Sequence, residues 1–247
     1  MVDKLVRFLK KKPLSIPNFE KLTDNIYPNL GWEERFELLK LQGLPLIKRK
    51  NKIYLKTAFT PFWEGEYCIV DIEVTHSKPS EGQIIEIGAV VIRNGKMAEE
   101  FSSLIYAPSV PEYITKITGI DEKMLAGEKS QKKVLEEFRL FLGDKVFASH
   151  PASFDYQFLA QQFQRENLGE LLNRPLCTLK LANKTINAPR YGLQYLKEEL
   201  HLPQEPVHRA LGDARTTARV FLESWKHLPP YIRSVEELIE FANGGEK

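Results

Sequence analysis

Cysteine is almost missing from this 247-residue chain: only Cys68 and Cys177 occur, both in apolar, strand-like surroundings. Two such residues can form neither a disulfide framework nor a cysteine-rich zinc site, and they read as reduced, buried thiols of a cytosolic protein. Long hydrophobic runs are missing too. No stretch approaches the ~20 apolar residues of a membrane span, and the apolar part of MVDKLVRFLKKKP is too short for a signal peptide. The expectation is a soluble, cytoplasmic protein with no membrane partner. The chain also lacks internal repeats, low-complexity tracts and any large excess of charge, its formal net charge being +2. That balance argues neither for nor against a polyanionic partner.

The distribution of charge says more. Residues 1–60 carry 13 Lys/Arg against 6 Asp/Glu, and the remainder carries 22 against 27. A basic amino-terminal portion suits contact with phosphates, although a solvated basic surface would look the same. An acidic larger portion suits a cation site. With 43% hydrophobic residues the chain can bury a sizeable core and is long enough for more than one domain.

What stands out against this background is a set of acids with one histidine. Asp71 and Glu73 in CIVDIEVTH lie two apart among β-formers, so a strand turns both carboxylates to one face. No matched pair of Lys or Arg lies nearby, and unpaired charge on a buried strand is very costly. A solvent-facing edge strand is the plainer alternative. Asp155 in SHPASFDYQFL opens an apolar-periodic run (Phe158, Leu159, Phe163), where an Asp commonly caps a helix. His208 and Asp213 lie five apart in VHRALGDARTTARV, and Leu211, Ala214, Ala218, Phe221, Leu222 and Trp225 mark a helix with one inward face. Asp213 then falls in the first turn and His208 at or before the helix start, where it could equally be structural. Four acids in one pocket repel each other unless divalent cations neutralise them, and hard oxygen ligands select Mg²⁺ or Mn²⁺. A histidine beside such ions is the obvious base for activating a water.

In this order and texture, D-x-E, then F-D, then H-R-A-L-x-D-A resembles the DEDDh 3′–5′ exonucleases, and among them the proofreading epsilon subunits of bacterial DNA polymerase III. PEYITKITGIDEKML and CTLKLA resemble the family's intervening segments, and the likeness spans roughly residues 66 to 228. It implies that Asp71, Glu73, Asp155 and Asp213 hold two divalent cations while His208 takes the proton from the attacking water. One ion would activate that water and the other would stabilise the leaving 3′-oxygen, releasing a nucleoside 5′-monophosphate. The implied substrate is a DNA 3′ end, with RNA as the alternative, and the implied partner is a replicative polymerase. Thr75, His76, Ile117, Thr118, Gly119 and Phe154 would contact the terminal nucleotide, and Tyr156 could stack there too, with ordinary core packing the alternative for both rings and the plainer reading of Phe154.

The chain departs from the family in two motifs. Val74-Thr75-His76 stands where two threonines and a glycine are usual. His150-Pro151-Ala152 stands where His-Asn-Ala is usual, and proline removes a backbone donor and an amide side chain. After the nuclease, SVEELIEFAN predicts one more helix, and no convincing sliding-clamp motif follows. Gln42-Gly43-Leu44-Pro45-Leu46 resembles one only faintly and reads better as part of a strand. A nuclease fold that had become an inactive nucleic-acid-binding adaptor would have lost one of the acids or the base, and none is lost.

The expected architecture is α/β: a ribonuclease H-like mixed sheet flanked by helices over 66–228. The first strand and two strands joined by Asn94-Gly95, a type I′ hairpin signal, are followed by a helix at about 131–142, the strand KVFASH and a helix at about 154–166. Residues 1–57 form a separate small unit with helices near 2–10 and 32–42. It ends in two strands around the basic turn Lys48-Arg49-Lys50-Asn51-Lys52, and so resembles a winged helix. Its hairpin could contact nucleic acid, or the unit could be a docking or structural cap. Residues 58–65 read as a linker in which Phe62 and Trp63 could dock, and 229–247 as a short helical tail.

Overall fold

The computed structural model describes residues 2–244. Its first part runs α1 (Val2–Lys11), β1 (Leu14–Ser15), α2 (Ile16–Thr23), α3 (Trp32–Leu41), β2 (Leu46–Arg49) and β3 (Lys52–Leu55), closed by a single turn α4 (Lys56–Phe59). The strands form an antiparallel sheet in the order β1-β3-β2, packed on the helices through Leu5, Leu9, Phe19, Leu39, Leu46 and Leu55. Helix α2 is absent from the sequence-based expectation because Pro17 reads as a break. It occupies the first turn instead, where a missing N–H costs nothing.

The larger part begins with β4 (Glu66–Val74), β5 (Ile84–Arg93) and β6 (Lys96–Leu104). The β5–β6 hairpin turns on Asn94 and Gly95, both at positive φ, as a type I′ connection requires. There follow α5 (Glu112–Thr118), α6 (Glu122–Leu125), α7 (Gln131–Leu142), β7 (Val146–Ser149), α8 (Ala152–Arg165), β8 (Pro175–Cys177), α9 (Thr178–Thr185), α10 (Leu193–Glu199), α11 (Ala210–Trp225) and α12 (Val235–Asn243). Five strands make one mixed sheet in the order β6-β5-β4-β7-β8, with β4–β5–β6 antiparallel and β4, β7 and β8 parallel. This is the mixed sheet expected for 66–228. Among the described residues no helix is long and apolar enough to cross a membrane.

Strand β4 is central, and its alternation sets the position of the site. Cys68, Val70, Ile72 and Val74 point into a core with Phe138, Phe147, Phe158 and Phe163 of α7, β7 and α8. Tyr67 and Ile69 point to the other face, into a core with Phe221 of α11 and Leu238 and Ile239 of α12. Asp71 and Glu73 continue the odd-numbered series, so both face α11. A solvent-facing edge strand is thereby excluded, since β4 has a neighbour on each side.

Residues 58–65 lie against the larger unit. Phe62 packs edge-on to Trp225 at 5.4 Å between ring centroids, its N–H donates to Arg233, and Val235 N–H donates to Thr60, whereas Trp63 is half exposed. Helix α12 starts at Ser234 with a capping box completed by Glu237 and buries Val235, Leu238, Ile239 and Ala242. Its buried Glu236 accepts from Thr57 and Arg174 and pairs with Lys10 of α1. The amino-terminal unit is therefore anchored at Glu236, at Asp144 through Lys56, and at Leu172 through Gln42. Asp144 precedes β7, so this docking lies toward the starts of β4 and β7. Asp71, Glu73 and Asp155 lie toward their ends.

Candidate active site

Three elements converge at the carboxyl ends of the parallel strands. β4 supplies Asp71 and Glu73, the first turn of α8 supplies Asp155, and the first turn of α11 supplies Asp213. Asp155 is not the helix cap it resembles in sequence, because Pro151 holds that position and the Asp155 carboxyl is buried beside β4. Asp213 is buried as well, whereas Asp71 and Glu73 stay partly open to solvent. Glu73, His208 and Asp213 each offer a ligand atom, all within 4.8 Å of one another.

The electrostatics are those of an overcrowded acidic pocket. Burial, then the charges of Asp155, Glu73, Asp213 and Glu86, holds the Asp71 carboxyl well above the ordinary carboxylate range. Burial, then Asp213, Glu86 and Asp155, pushes Glu73 up to about 8. Burial pushes Asp155 up to about 7. Asp213 is also raised by burial, against the pull of the His208 backbone N–H. Carboxyls crowded together away from water hold their protons to higher pH than isolated ones, and a divalent cation among them would reverse that shift.

These raised values predict an inverted pH dependence of stability. Between about pH 4 and pH 8 the folded chain binds more protons at these carboxyls than the unfolded chain does, so stability falls as pH rises through that window. The chelator-treated protein should melt at a higher temperature at pH 5 than at pH 8, and Mg²⁺ or Mn²⁺ added at pH 8 should recover the difference by binding the folded state. A melting temperature that rises from pH 5 to pH 8 in chelator would contradict the crowded-acid picture.

Two residues without a place in the sequence argument build this pocket. Gly88 of β5 lies directly across from Asp71, and a Cβ there would run into the backbone of Ala210 and Leu211. The bare glycine lets the start of α11 sit on the sheet and brings Asp213 to Asp71. Glu86, two residues earlier, lies opposite Glu73, an arrangement of like charges that destabilises a sheet. It is compensated by Arg209, whose Nη2 donates at 2.8 Å and Nε at 3.2 Å, and by the Ala210 N–H at 2.9 Å. The motif E-I-G, with Glu and Gly on one face of a strand, was the available signal.

His208 is exposed and sits just before α11 at φ 53°, in the left-handed region. Its main-chain N–H donates to Asp213 Oδ2 at 3.0 Å, so the base candidate is tied to an acid through backbone and its imidazole is left free of that bond. The preceding segment is latched to the outer face of α11. Glu205 accepts from Arg219 at 2.8 Å and Arg215 at 3.5 Å, its carbonyl accepts from Lys197, and Gly212 leaves room for the Pro206 carbonyl. Glu205→Ala should lower turnover about tenfold by releasing His208 from register, since small misplacements are costly in catalysis. Partly exposed ion pairs add little stability, so the melting temperature should stay within about 2 °C. Steady-state kinetics with parallel melting would decide this. A drop in melting temperature that accounts for the lost activity would make Glu205 merely structural.

The remaining site candidates divide into free and engaged groups. Ile117 is 53% exposed and Phe154 36% exposed, so both can meet a ligand, with Phe154 5.9 Å from the ring of Phe158. Gly119 ends α5 in the left-handed conformation. The Thr118 hydroxyl is spent inside that turn, donating to Ile114 and accepting from the Ile120 N–H. Thr75 pairs with Gln83 through both backbone and hydroxyl, and its carbonyl lies 3.4 Å from the Tyr113 hydroxyl. His76 Nδ1 accepts from the Lys78 N–H and its Nε2 lies 3.4 Å from Glu81. Tyr156 donates to the carbonyls of Leu171 and Asn173 and belongs to the core. His150 bridges Thr178 and the Tyr191 carbonyl through its two ring nitrogens.

The mixed sheet thus gathers four carboxyls at the end of its central strand, beside a histidine on an exposed segment. The Exonuclease family model matches residues 68–221, and the chain belongs to that family. It is similar to the DNA polymerase III subunit epsilon of Aquifex aeolicus, at 34% identity over 167 residues covering 67% of this chain and 83% of that one. It is also 39% identical over 164 residues to the DNA polymerase III PolC-type of Thermotoga maritima, which covers 65% of this chain but only 12% of that much longer protein. Among solved structures, Exonuclease X in complex with 5′ overhanging duplex DNA superposes with a TM-score of 0.56 at 24% identity, over 72% of this chain and 99% of that one. An Exonuclease I structure superposes with a TM-score of 0.60 at 14% identity, over 67% and 42%. These two likenesses concern the fold.

Proposed function

We propose that the protein is a metal-dependent 3′–5′ exonuclease that removes nucleoside 5′-monophosphates from DNA 3′ ends, in proofreading or repair. The observation that carries this is the convergence of Asp71, Glu73, Asp155 and Asp213 beside His208. Oxygen donors in this number suit Mg²⁺ or Mn²⁺, and the mutual repulsion that raises these carboxyls is what such cations would relieve. Two such ions, held by the four acids, would supply positive charge at the phosphodiester and ease deprotonation of the attacking water.

The chain's own groups do the rest. His208 accepts the proton from the attacking water, and its exposure lets that proton pass to solvent. The Arg209–Glu86 pair and the Glu205 latch hold it in register. Ile117 and Phe154 pack against the terminal base, and Thr75 and Gly119 approach the last nucleotide through backbone. Contacts of this kind read few base edges, so weak sequence preference is expected. Residues 66–228 form the catalytic domain. Residues 1–57 form a winged-helix-like domain, 58–65 the connection and 229–247 the tail that carries α12, its last three residues lying outside the described residues. The likeness to polymerase III proteins supports association with a replicative polymerase as the fuller form of the proposal.

The test is degradation of 5′-labelled DNA and RNA oligonucleotides, single-stranded and 3′-mismatched duplex, with Mg²⁺, Mn²⁺ or chelator. A metal-dependent ladder on DNA, faster at a mismatched end, is the expected result. A ladder on RNA alone would move the protein to the exoribonuclease branch, and no ladder with either ion would leave a binding adaptor.

A further inference from the structure

The β2–β3 hairpin carries a charge arrangement that works against its own stability. Arg49 and Lys52 are directly opposed across the two strands, so their side chains share one face, where like charges repel. Lys50, at φ 54°, occupies the left-handed region that non-glycine residues seldom adopt. Four cations of the same unit have carboxylate partners, Lys10 with Glu236 and Glu240, Arg35 with Asp24, Lys40 with Glu37 and Lys56 with Asp144. Lys4, Arg7, Lys11 and Lys12 of α1 and its end are exposed like the hairpin cations but face no opposed cation across a strand pair. Among the described residues Lys48, Arg49, Lys50 and Lys52 are all exposed and none lies within ion-pair distance of a carboxylate. Protecting an edge strand takes one lysine, and it does not explain a cation facing another across to the central strand β3.

Aromatic rings complete the same face. Tyr54 lies two residues beyond Lys52, the Arg49 guanidinium sits 6.0 Å from its ring, and Phe59 meets that ring edge-on at 5.3 Å. Phe59 is 49% exposed. Cations beside exposed rings are what single-stranded nucleic acid needs, with phosphates on the charges and bases on the ring faces. A duplex, with its bases already stacked, has no use for Phe59. Helix α3, which packs against β2, is no alternative: its exposed charges are mainly Glu33, Glu34 and Glu37.

We propose that the outer face of the β2–β3 hairpin, with Arg49, Lys52, Tyr54 and Phe59 at its centre, is a second binding site for single-stranded nucleic acid, separate from the catalytic pocket. The choice of partner rests on the exonuclease reading. The hairpin is rooted at Pro45 and Lys56, beside Asp144 and Glu66, and β4 alone puts roughly 17 Å between Glu66 and Asp71 at ~3.3 Å per residue. The hairpin therefore holds a stretch of strand distant from the 3′ terminus, so it lowers the KM of long strands without entering the chemistry.

The test uses the full chain in chelator, so that no strand is cut. Anisotropy of a labelled 30-nucleotide single strand and a 30-base-pair duplex is titrated between 50 and 300 mM KCl. Replacing Lys48, Arg49, Lys50 and Lys52 together by Gln should weaken single-strand binding more than tenfold and flatten the salt slope by about 2–3. Phe59→Ala should weaken the single strand about tenfold and leave the duplex unchanged. Both variants should hydrolyse a trinucleotide at the wild-type rate in Mg²⁺ or Mn²⁺. Unchanged affinity and slope in the quadruple variant would overturn the proposal. An equal effect of Phe59→Ala on strand and duplex would also overturn it in favour of duplex contact. If wild type binds through the hairpin yet cuts no oligonucleotide, the exonuclease reading fails and the site stands.

Discussion

Asp155→Asn is expected to lower phosphodiester hydrolysis by about 10³-fold or more while making the chelator-treated protein more stable at pH 8. The loss follows from charge stabilisation worth several kcal/mol at the transition state, with each 1.36 kcal/mol counting tenfold. The gain follows from the burial that pushes Asp155 up to about 7. At pH 8 the carboxylate must be ionised against that cost, whereas an amide of the same shape carries no charge to desolvate. A few kcal/mol relieved in a chain of this size corresponds to a rise in melting temperature of about 5–10 °C. The two effects should separate with pH: the gap in melting temperature between variant and wild type should shrink as pH falls from 8 and close only near pH 4, where Asp155 becomes protonated in the unfolded chain as well. Wild-type turnover in Mg²⁺ would remove Asp155 from the cation site, and a lowered melting temperature at pH 8 would mean that its hydrogen bonds outweigh its desolvation.

His208→Asn is expected to lower turnover by about 10²–10⁴-fold near neutral pH, the usual contribution of a general base. Asparagine is the informative replacement because it tolerates the positive φ of this position while losing the titratable ring. The hydrogen bond to Asp213 survives, since the donor is the main-chain N–H of residue 208. Cation affinity should therefore stay within about twofold of wild type, read by Mn²⁺ titration. Histidine also lies within ligand distance of Glu73 and Asp213. A 10- to 100-fold loss of Mn²⁺ affinity, the effect of disturbing a ligand sphere, would make His208 a ligand and leave the base unassigned.

The candidate site residues were legible because their local settings are short-range. D-x-E among β-formers determines that two carboxylates share a face, and the helical spacing after Asp213 determines that it sits in a first turn with His208 just outside. Asn94-Gly95 determines its hairpin for the same reason, since positive φ at two successive residues is a local demand. Residues 16–23 were less legible, because proline at a helix start and proline as a breaker look alike until neighbouring turns are known.

Packing across the sheet settled what spacing could not. Which face Asp71 and Glu73 occupy depends on β4 lying between β5 and β7, a long-range pairing. Asp155 has the sequence signature of a cap, and its burial beside β4 alone separates the two roles. Glu86 and Gly88 take their meaning entirely from partners more than a hundred residues away, Arg209 and the α11 backbone. Phe62 and α12 likewise become parts of the nuclease core through contacts with Trp225 and β8 that no local pattern announces. Local propensity and periodicity reach only a turn or two along the chain. The gathering of like charges and the glycine that admits a helix to a sheet arise when distant segments meet, so they belong to the fold and not to any stretch of sequence.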